Sequence, residues 1–257
     1  MRPAIVMPMH DPDGVLFPHL QGATRLLKQK FARGYLSMTA VTLEQQPGWA
    51  AWLDAEPFYS SVTDGSDASR PGNQFAQLHR QAAAVCPPEQ VLHLGFVDRV
   101  AFAACGPYRV AYLADASAVR ADDTPLLYHR SAAAWATHPD NYRMMEGMIT
   151  AAGEALLGRS FDFAWCYMAI TADRLGRLMP AVTRPDMSML AEMVLGLRNE
   201  LRVREVDWLA WEDPHLLGRD AAELKREREA SADEVRKRLG YVIPMLQVLA
   251  AHDGSKP

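Results

Sequence analysis

The chain has 257 residues, of which 31 are acidic and 27 basic, for a formal net charge of −4; 49% are hydrophobic and 23% charged. So much apolar side chain excludes a mainly disordered chain, and the slight acidity without a basic cluster excludes a dedicated nucleic-acid binder. The length suits one large α/β domain or two small ones.

The apolar run Ala4-Ile5-Val6-Met7 predicts a buried strand that ends in the turn-rich stretch Pro8 to Gly14. Leu16, Leu20, Leu26, Leu27 and Phe31 fit a helix over 15–32, and Tyr35 to Val41 alternates as a second strand. Trp49, Trp52 and Leu53 suggest a short helix, and Phe58 to Val62 a third strand. After a loop over 64–73, Phe75, Leu78, Ala82 and Val85 recur at helical spacing until Pro87-Pro88. Val91 to Val97 is the best strand in the chain, and Asp98-Arg99 follows it directly. Alternating strands and helices predict a mostly parallel sheet covered on both faces.

In the second half, Leu126 to Tyr128 reads as a short strand. Tyr142, Met145, Ile149, Ala152 and Leu156 form one helical face, and Phe161 to Ile170 is β-prone. Met189 to Leu201 is helical by spacing, and Val206 to Trp211 reads as another strand. From Ala221 to Leu249 a long helix or helix pair turns Leu224, Val235, Leu239, Val242, Leu246 and Leu249 inward, with a bend or break at Gly240 and Pro244. Cys86, Cys105 and Cys166 form no CxxC pair, so neither a zinc ribbon nor a disulfide framework is expected. The first apolar run is too short for a signal peptide or a membrane span, and a cytoplasmic location is expected.

Ligands of open α/β sheets bind at the carboxyl ends of the strands. The polar residues expected there are His10, Asp11 and Asp13; Thr42 and Glu44; Asp64 and Asp67; Asp98 and Arg99; His129 and Arg130; and Glu212, Asp213 and His215. Each taken singly has a competing role as a turn former or helix cap. There is no GxGxxG fingerprint after the first strand, no GxxxxGK[ST] loop, no GxSxG elbow and no HExxH, which argues against the enzymes those motifs mark.

Ser69-Arg70-Pro71-Gly72-Asn73, then a helix, then the strand Val91 to Val97 with its acid, resembles the GT-A-fold nucleotide-sugar glycosyltransferases. The closest likeness is to the mannosylglycerate-synthase-type members, which have an Arg-Pro-Gly loop before a helix, a strand and an acidic metal motif. Leu127 to Arg130, the helix with Met144 to Thr150, and Glu212-Asp213-Pro214 followed by His215 continue the likeness, from residue 3 to about 250. The resemblance implies an α/β GT-A-like domain over 1–220, with a nucleotide half at about 1–125 and an acceptor half at about 126–220. A C-terminal helical extension over 221–257 would pack on it. The implied activity is transfer of a sugar from a GDP- or UDP-linked donor to a small or lipid-linked acceptor. No transmembrane segment is expected, and the apolar stripe of the C-terminal helical segment is expected to pack on the domain or across a homodimer interface.

The family signature is Asp-x-Asp, and here Phe96-Val97-Asp98-Arg99-Val100 has one carboxylate. A divalent ion, Mn²⁺ or Mg²⁺, takes several oxygen ligands and neutralises the leaving diphosphate. Asp98 and His215 are the expected metal ligands, or Arg99 meets the diphosphate without a metal. Pro8, His10, Asp11, Asp64, Arg70, Gly72, Asn73 and Arg99 are the expected nucleotide contacts, Gly72 by close backbone approach. Asp186 and Glu192 are the candidate general bases; the competing roles are an N-cap for Asp186 and a solvated helix face for Glu192. Trp165, Trp208 and Trp211 are core residues or sugar-stacking platforms, and Glu223 to Arg228 a solvated helix face. The incomplete acidic motif leaves open a non-catalytic sugar-nucleotide-binding or interaction protein, and a nucleotidyltransferase is the second alternative.

Overall fold

The computed structural model describes residues 1–63 and 70–252. In chain order the elements are β1 (Ala4–Met9), α1 (Leu16–Lys30), β2 (Gly34–Met38), α2 (Ala40–Gln45), α3 (Gly48–Ala55), β3 (Tyr59–Thr63), α4 (Pro71–Val85), β4 (Val91–Gly95), α5 (Val97–Cys105), α6 (Arg109–Ala118), β5 (Leu126–Arg130), α7 (Ala132–Thr137), α8 (Asp140–Leu157), β6 (Tyr167–Thr171), α9 (Ala172–Leu178), α10 (Met189–Leu197), β7 (Arg202–Val206), α11 (Asp213–Leu216), α12 (Ala221–Ala230) and α13 (Ala232–Ala250). Among the described residues the strands form one sheet in the order β3-β2-β1-β4-β6-β5-β7. All neighbours are parallel except β6, which runs antiparallel to β4 and β5. This is the expected fold class as far as α/β and a mostly parallel sheet flanked by helices.

The strands read as continuous apolar runs because both faces of the sheet are covered. Successive side chains of a strand point to opposite faces. In β1, Val6 enters a core with Phe75 and Leu78 of α4, Met145 and Ile149 of α8, and Val242 and Met245 of α13. Ile5, Met7 and Met9 enter the other, with Leu20 and Leu27 of α1, Trp49 of α3 and Val100 of α5. The last helix, α13, is thus part of the first core.

Several local expectations are corrected. Val91 to Val97 splits: the strand ends at Gly95 and a helix starts at Val97, so Asp98 lies in the first turn of α5. A carboxylate there meets the positive end of the helix dipole. The strand expected at Val206 to Trp211 runs instead over Arg202–Val206, an edge strand whose first four residues are exposed and mostly charged, a composition that discourages edge-to-edge pairing. Trp208 and Trp211 are buried without being in a strand. Only Tyr167–Thr171 of the β-prone stretch forms a strand. The C-terminal helices divide at Ser231, whose side chain accepts a hydrogen bond from the Glu234 N–H and caps α13; Gly240 and Pro244 lie inside α13. Arg238 turns inward beside Val242, and Leu239 is exposed.

Candidate functional site

A cavity of about 370 Å³ opens at the carboxyl edge of β4 and β5. The start of α5 gives it Asp98 and Arg99, and the end of β5 gives it Arg130. Trp165 and Cys166 precede β6, and Glu212 and Asp213 begin α11. Further wall comes from Tyr142 and Glu146 of α8 and from Arg228, Glu234, Lys237, Arg238 and Tyr241 of α12 and α13. The size is that of a small-molecule site, and the wall is far more charged than is usual.

The charges form a connected set. Arg130, buried, donates to both carboxylate oxygens of Asp162 at 2.8–3.1 Å and stands 2.7 Å from Glu146 Oε2. Its guanidinium stacks 3.7 Å from the centre of a Trp135 ring. Glu146 also accepts from Arg238 at 2.7 Å and from the Tyr241 hydroxyl at 2.8 Å. Arg238 lies 3.5 Å over the Tyr142 ring, and the Tyr142 hydroxyl donates to Glu234 at 2.5 Å. Glu234 pairs with Arg228, which reaches Asp213 at 3.4 Å. Burial opposes the charge on Glu146, but Arg130 and Arg238 outweigh it and hold the carboxyl below its ordinary value. Two guanidiniums and two carboxylates cancel here, and buried ions persist only with such pairing.

A second cluster closes the other end. Arg99 pairs with Glu212 and donates to the Ala210 carbonyl at 3.1 Å. The Asp98 carboxylate accepts the Arg99 backbone N–H at 2.7 Å. Burial pushes Asp98 up, against the pull of Arg99. Burial, reinforced by Asp98 and Asp213, pushes Glu212 up to about 8 although Arg99 pulls the other way. A carboxyl so placed exchanges its proton near neutral pH. The Cys166 thiol is pushed up to about 11, chiefly by burial, which makes it a poor nucleophile.

Of the expected metal, nucleotide and catalytic residues that the structure describes, Asp98 and Arg99 line this cavity, and of the other polar residues expected at the carboxyl edge Arg130, Glu212 and Asp213 line it too. Asp11 is buried, and its carboxylate accepts the Leu16 N–H at 3.0 Å and the Trp49 indole N–H at 3.3 Å, tying β1 to α1 and α3. His10 is exposed and hydrogen-bonds to Thr39 Oγ1 at 2.9 Å through Nδ1. Pro8 borders a small cavity of about 10 Å³ with Phe75 and His79. Arg70 and Asn73 are exposed at the start of α4, and Asp64 lies outside the described residues. Gly72 faces protein: a Cβ there would stand 2.6 Å from the carbonyl carbon of Pro185 and 2.7 Å from the Arg184 oxygen. Its missing side chain lets α4 meet the backbone of 184–186.

Asp186 accepts from the Ser188 N–H and hydroxyl at 2.8 and 2.6 Å. Glu192 accepts from the Thr183 and Arg184 N–H groups at 2.7 and 2.9 Å. Both carboxylates hold the turn before α10, and it is Met187 and Leu190 that reach the cavity. Trp165 and Trp208 are core residues with satisfied indoles, donating to Leu190 O at 3.2 Å and Asp115 at 2.8 Å. Of the charged run in α12, Arg228 turns into the cavity while most of the helix stays exposed.

The residues expected to hold a divalent ion do not fit one. Among the described residues no group of three or more His, Cys, Asp and Glu side chains is arranged for a metal. The His215 ring packs against Phe102 and His19, with ring centres 5.5 and 6.0 Å away, and does not line the cavity. The Arg99 guanidinium supplies the positive charge beside Asp98 and Glu212 that a cation would bring.

Sequence reading passed over Glu146 and Arg238 as site residues, although each left a signal. Glu146 stands four residues after Tyr142 and three before Ile149, inside an apolar helical stripe, and Arg238 lies between Val235 and Val242 in the same way. A charge within such a stripe must find a partner.

No family model matches the chain, and no curated protein matches it. Among solved structures it is similar to 4-diphosphocytidyl-2C-methyl-D-erythritol synthase, at 12% identity over 88% of this chain and 99% of that one, with a TM-score of 0.47. No helix among the described residues is long and apolar enough to cross a membrane.

Proposed function

We propose that the protein transfers a sugar from a nucleotide-diphosphate donor to a small acceptor. The observation that carries this reading is the charged cavity at the carboxyl edge of β4 and β5, where open α/β sheets bind their ligands. Phe96 and Val100 flank Asp98 where a second carboxylate would complete the acidic pair. The proposal is therefore for the broad class of sugar-nucleotide enzymes and not for the mannosylglycerate-synthase type in particular.

The nucleotide would lie over the ends of β1 to β3, near His10, Arg70 and Asn73, with the sugar and phosphates in the cavity. Arg99, anchored by Glu212 and the Ala210 carbonyl, would face charge developing on the leaving diphosphate. Glu212, which lines the cavity with its carboxyl pushed up to about 8, is the better-placed group for moving the acceptor proton, because Asp186 and Glu192 do not line the cavity.

A thermal-shift screen of nucleoside diphosphates and sugar nucleotides tests the reading, since a ligand that binds only the native state raises the melting temperature. A rise with a sugar nucleotide, followed by its slow hydrolysis or transfer, is expected. Binding without turnover under any acceptor would replace transfer by sensing, and release of pyrophosphate from a free nucleoside triphosphate would make the protein a nucleotidyltransferase.

A further inference from the structure

The charges around the cavity are unevenly divided. The wall built by the C-terminal helices carries Arg228, Lys237 and Arg238 against one acid, Glu234. The rest of the lining carries Asp98, Glu146, Glu212 and Asp213 against Arg99 and Arg130, and of these acids Glu146 meets Arg238 and Asp213 meets Arg228. Lys237 is the cation of that wall in no salt bridge among the described residues, and an anionic group entering the cavity is drawn towards it.

That wall is also built to hold its cations still. Arg238 is fixed by Glu146, by the Tyr241 hydroxyl and by stacking on Tyr142. Arg228 is fixed by Glu234 and Asp213. Both still have more N–H groups than acceptors: the Nε of each has no hydrogen-bond partner among the described residues. Lys237 is exposed and donates no hydrogen bond among the described residues. Fixed guanidiniums with spare donors, beside an ammonium that makes no hydrogen bond among the described residues, suit the oxygens of a phosphate.

We infer that Arg228, Lys237 and Arg238 form a phosphate subsite that takes the diphosphate of the ligand without a divalent metal. Resting on the proposed function, this assigns to the C-terminal extension the charge neutralisation that a metal pair would otherwise supply. It agrees with the metal-side residues, where Arg99 already compensates Asp98 and Glu212. It also gives a reason for Arg228 to leave the exposed face of α12.

Calorimetric titration with inorganic pyrophosphate, UDP and GDP, each in EDTA and in Mn²⁺, tests it. Pyrophosphate is expected to bind in EDTA, with no tightening by Mn²⁺. Lys237→Gln removes an exposed side chain that makes no hydrogen bond among the described residues, so its melting curve should stay close to the wild type while pyrophosphate affinity falls about tenfold. Arg228→Gln should weaken binding at least as much, and its melting curve separates lost affinity from lost fold. Binding that requires Mn²⁺, binding indifferent to both substitutions, or no binding in EDTA overturns the inference. Pyrophosphate binding with no nucleoside diphosphate binding would keep the subsite and remove the functional reading. Nucleoside diphosphate binding that depends on Mn²⁺ would do the reverse.

Discussion

Arg238 of the last helix donates to Glu146 Oε1 at 2.7 Å, and Glu146 in turn stands 2.7 Å from the Arg130 guanidinium at the end of β5. One buried carboxylate thus joins the C-terminal extension to the central sheet. Glu146→Leu should leave Arg130 with Asp162 alone and Arg238 without its buried acceptor. Breaking a buried pair by removing one partner costs about 3–5 kcal/mol. Urea denaturation should show that loss in the midpoint, with a smaller loss for an exposed pair such as Arg236–Asp233. Equal effects would show that the buried set contributes no more than surface charge.

Glu212 makes stability depend on pH. Its carboxyl is raised to about 8 in the folded chain from an ordinary 4.5, so the folded state binds its proton more tightly than the unfolded state. The stabilisation is complete below pH 4.5 and is lost as the pH rises through 8, with a limiting slope of about 1.4 kcal/mol per pH unit. Asp98, also raised, acts in the same direction. Glu212→Gln should flatten the fall in melting temperature between pH 5 and pH 8, and a curve parallel to the wild type would refute the assignment.

Two glycines give opposite expectations. Gly72→Ala forces a Cβ into the backbone of 184–186, where no flexible side chain can give way. Overpacking of this kind costs about 1–3 kcal/mol, and the turn holding Asp186 must shift. Gly147 lies in the exposed side of α8 with nothing within 4 Å of an added Cβ. Gly147→Ala should stabilise by about 0.5–1 kcal/mol through helix propensity and a less free unfolded chain. Thermal denaturation of the two variants side by side checks both signs.

Asp11→Ala removes the acceptor for the Leu16 N–H at the start of α1 and for the Trp49 indole. Leaving these donors without a partner should cost about 1–3 kcal/mol. If Asp11 instead serves the nucleotide, melting temperature without ligand stays unchanged and nucleoside diphosphate affinity drops.

The inner strands were legible because a sheet covered on both faces needs continuous apolar runs, as in Ala4–Met9 and Val91–Gly95, whereas the exposed, charged edge strand Arg202–Val206 was misplaced. Arg99 and Asp98 were found by the same logic, since each follows such a run. The reversal of β6 was not legible: Tyr167–Thr171 has the same composition whichever way it runs, and direction is set by the chain's path back from α8. The end of β4 was misplaced because Val97 suits a strand or the first turn of a helix equally well.

The cavity belongs to the tertiary structure for a similar reason. Arg130, Glu146 and Arg238 are far apart in sequence, and short-range periodicity reports which face of an element is buried, not what it is buried against. Composition and pattern determined a covered, mostly parallel α/β sheet with polar residues at one edge. Which of those residues meet, and the use of the C-terminal helices as a wall, was decided by packing. A buried charge is tolerable only where another chain segment brings its counter-charge within a few ångströms.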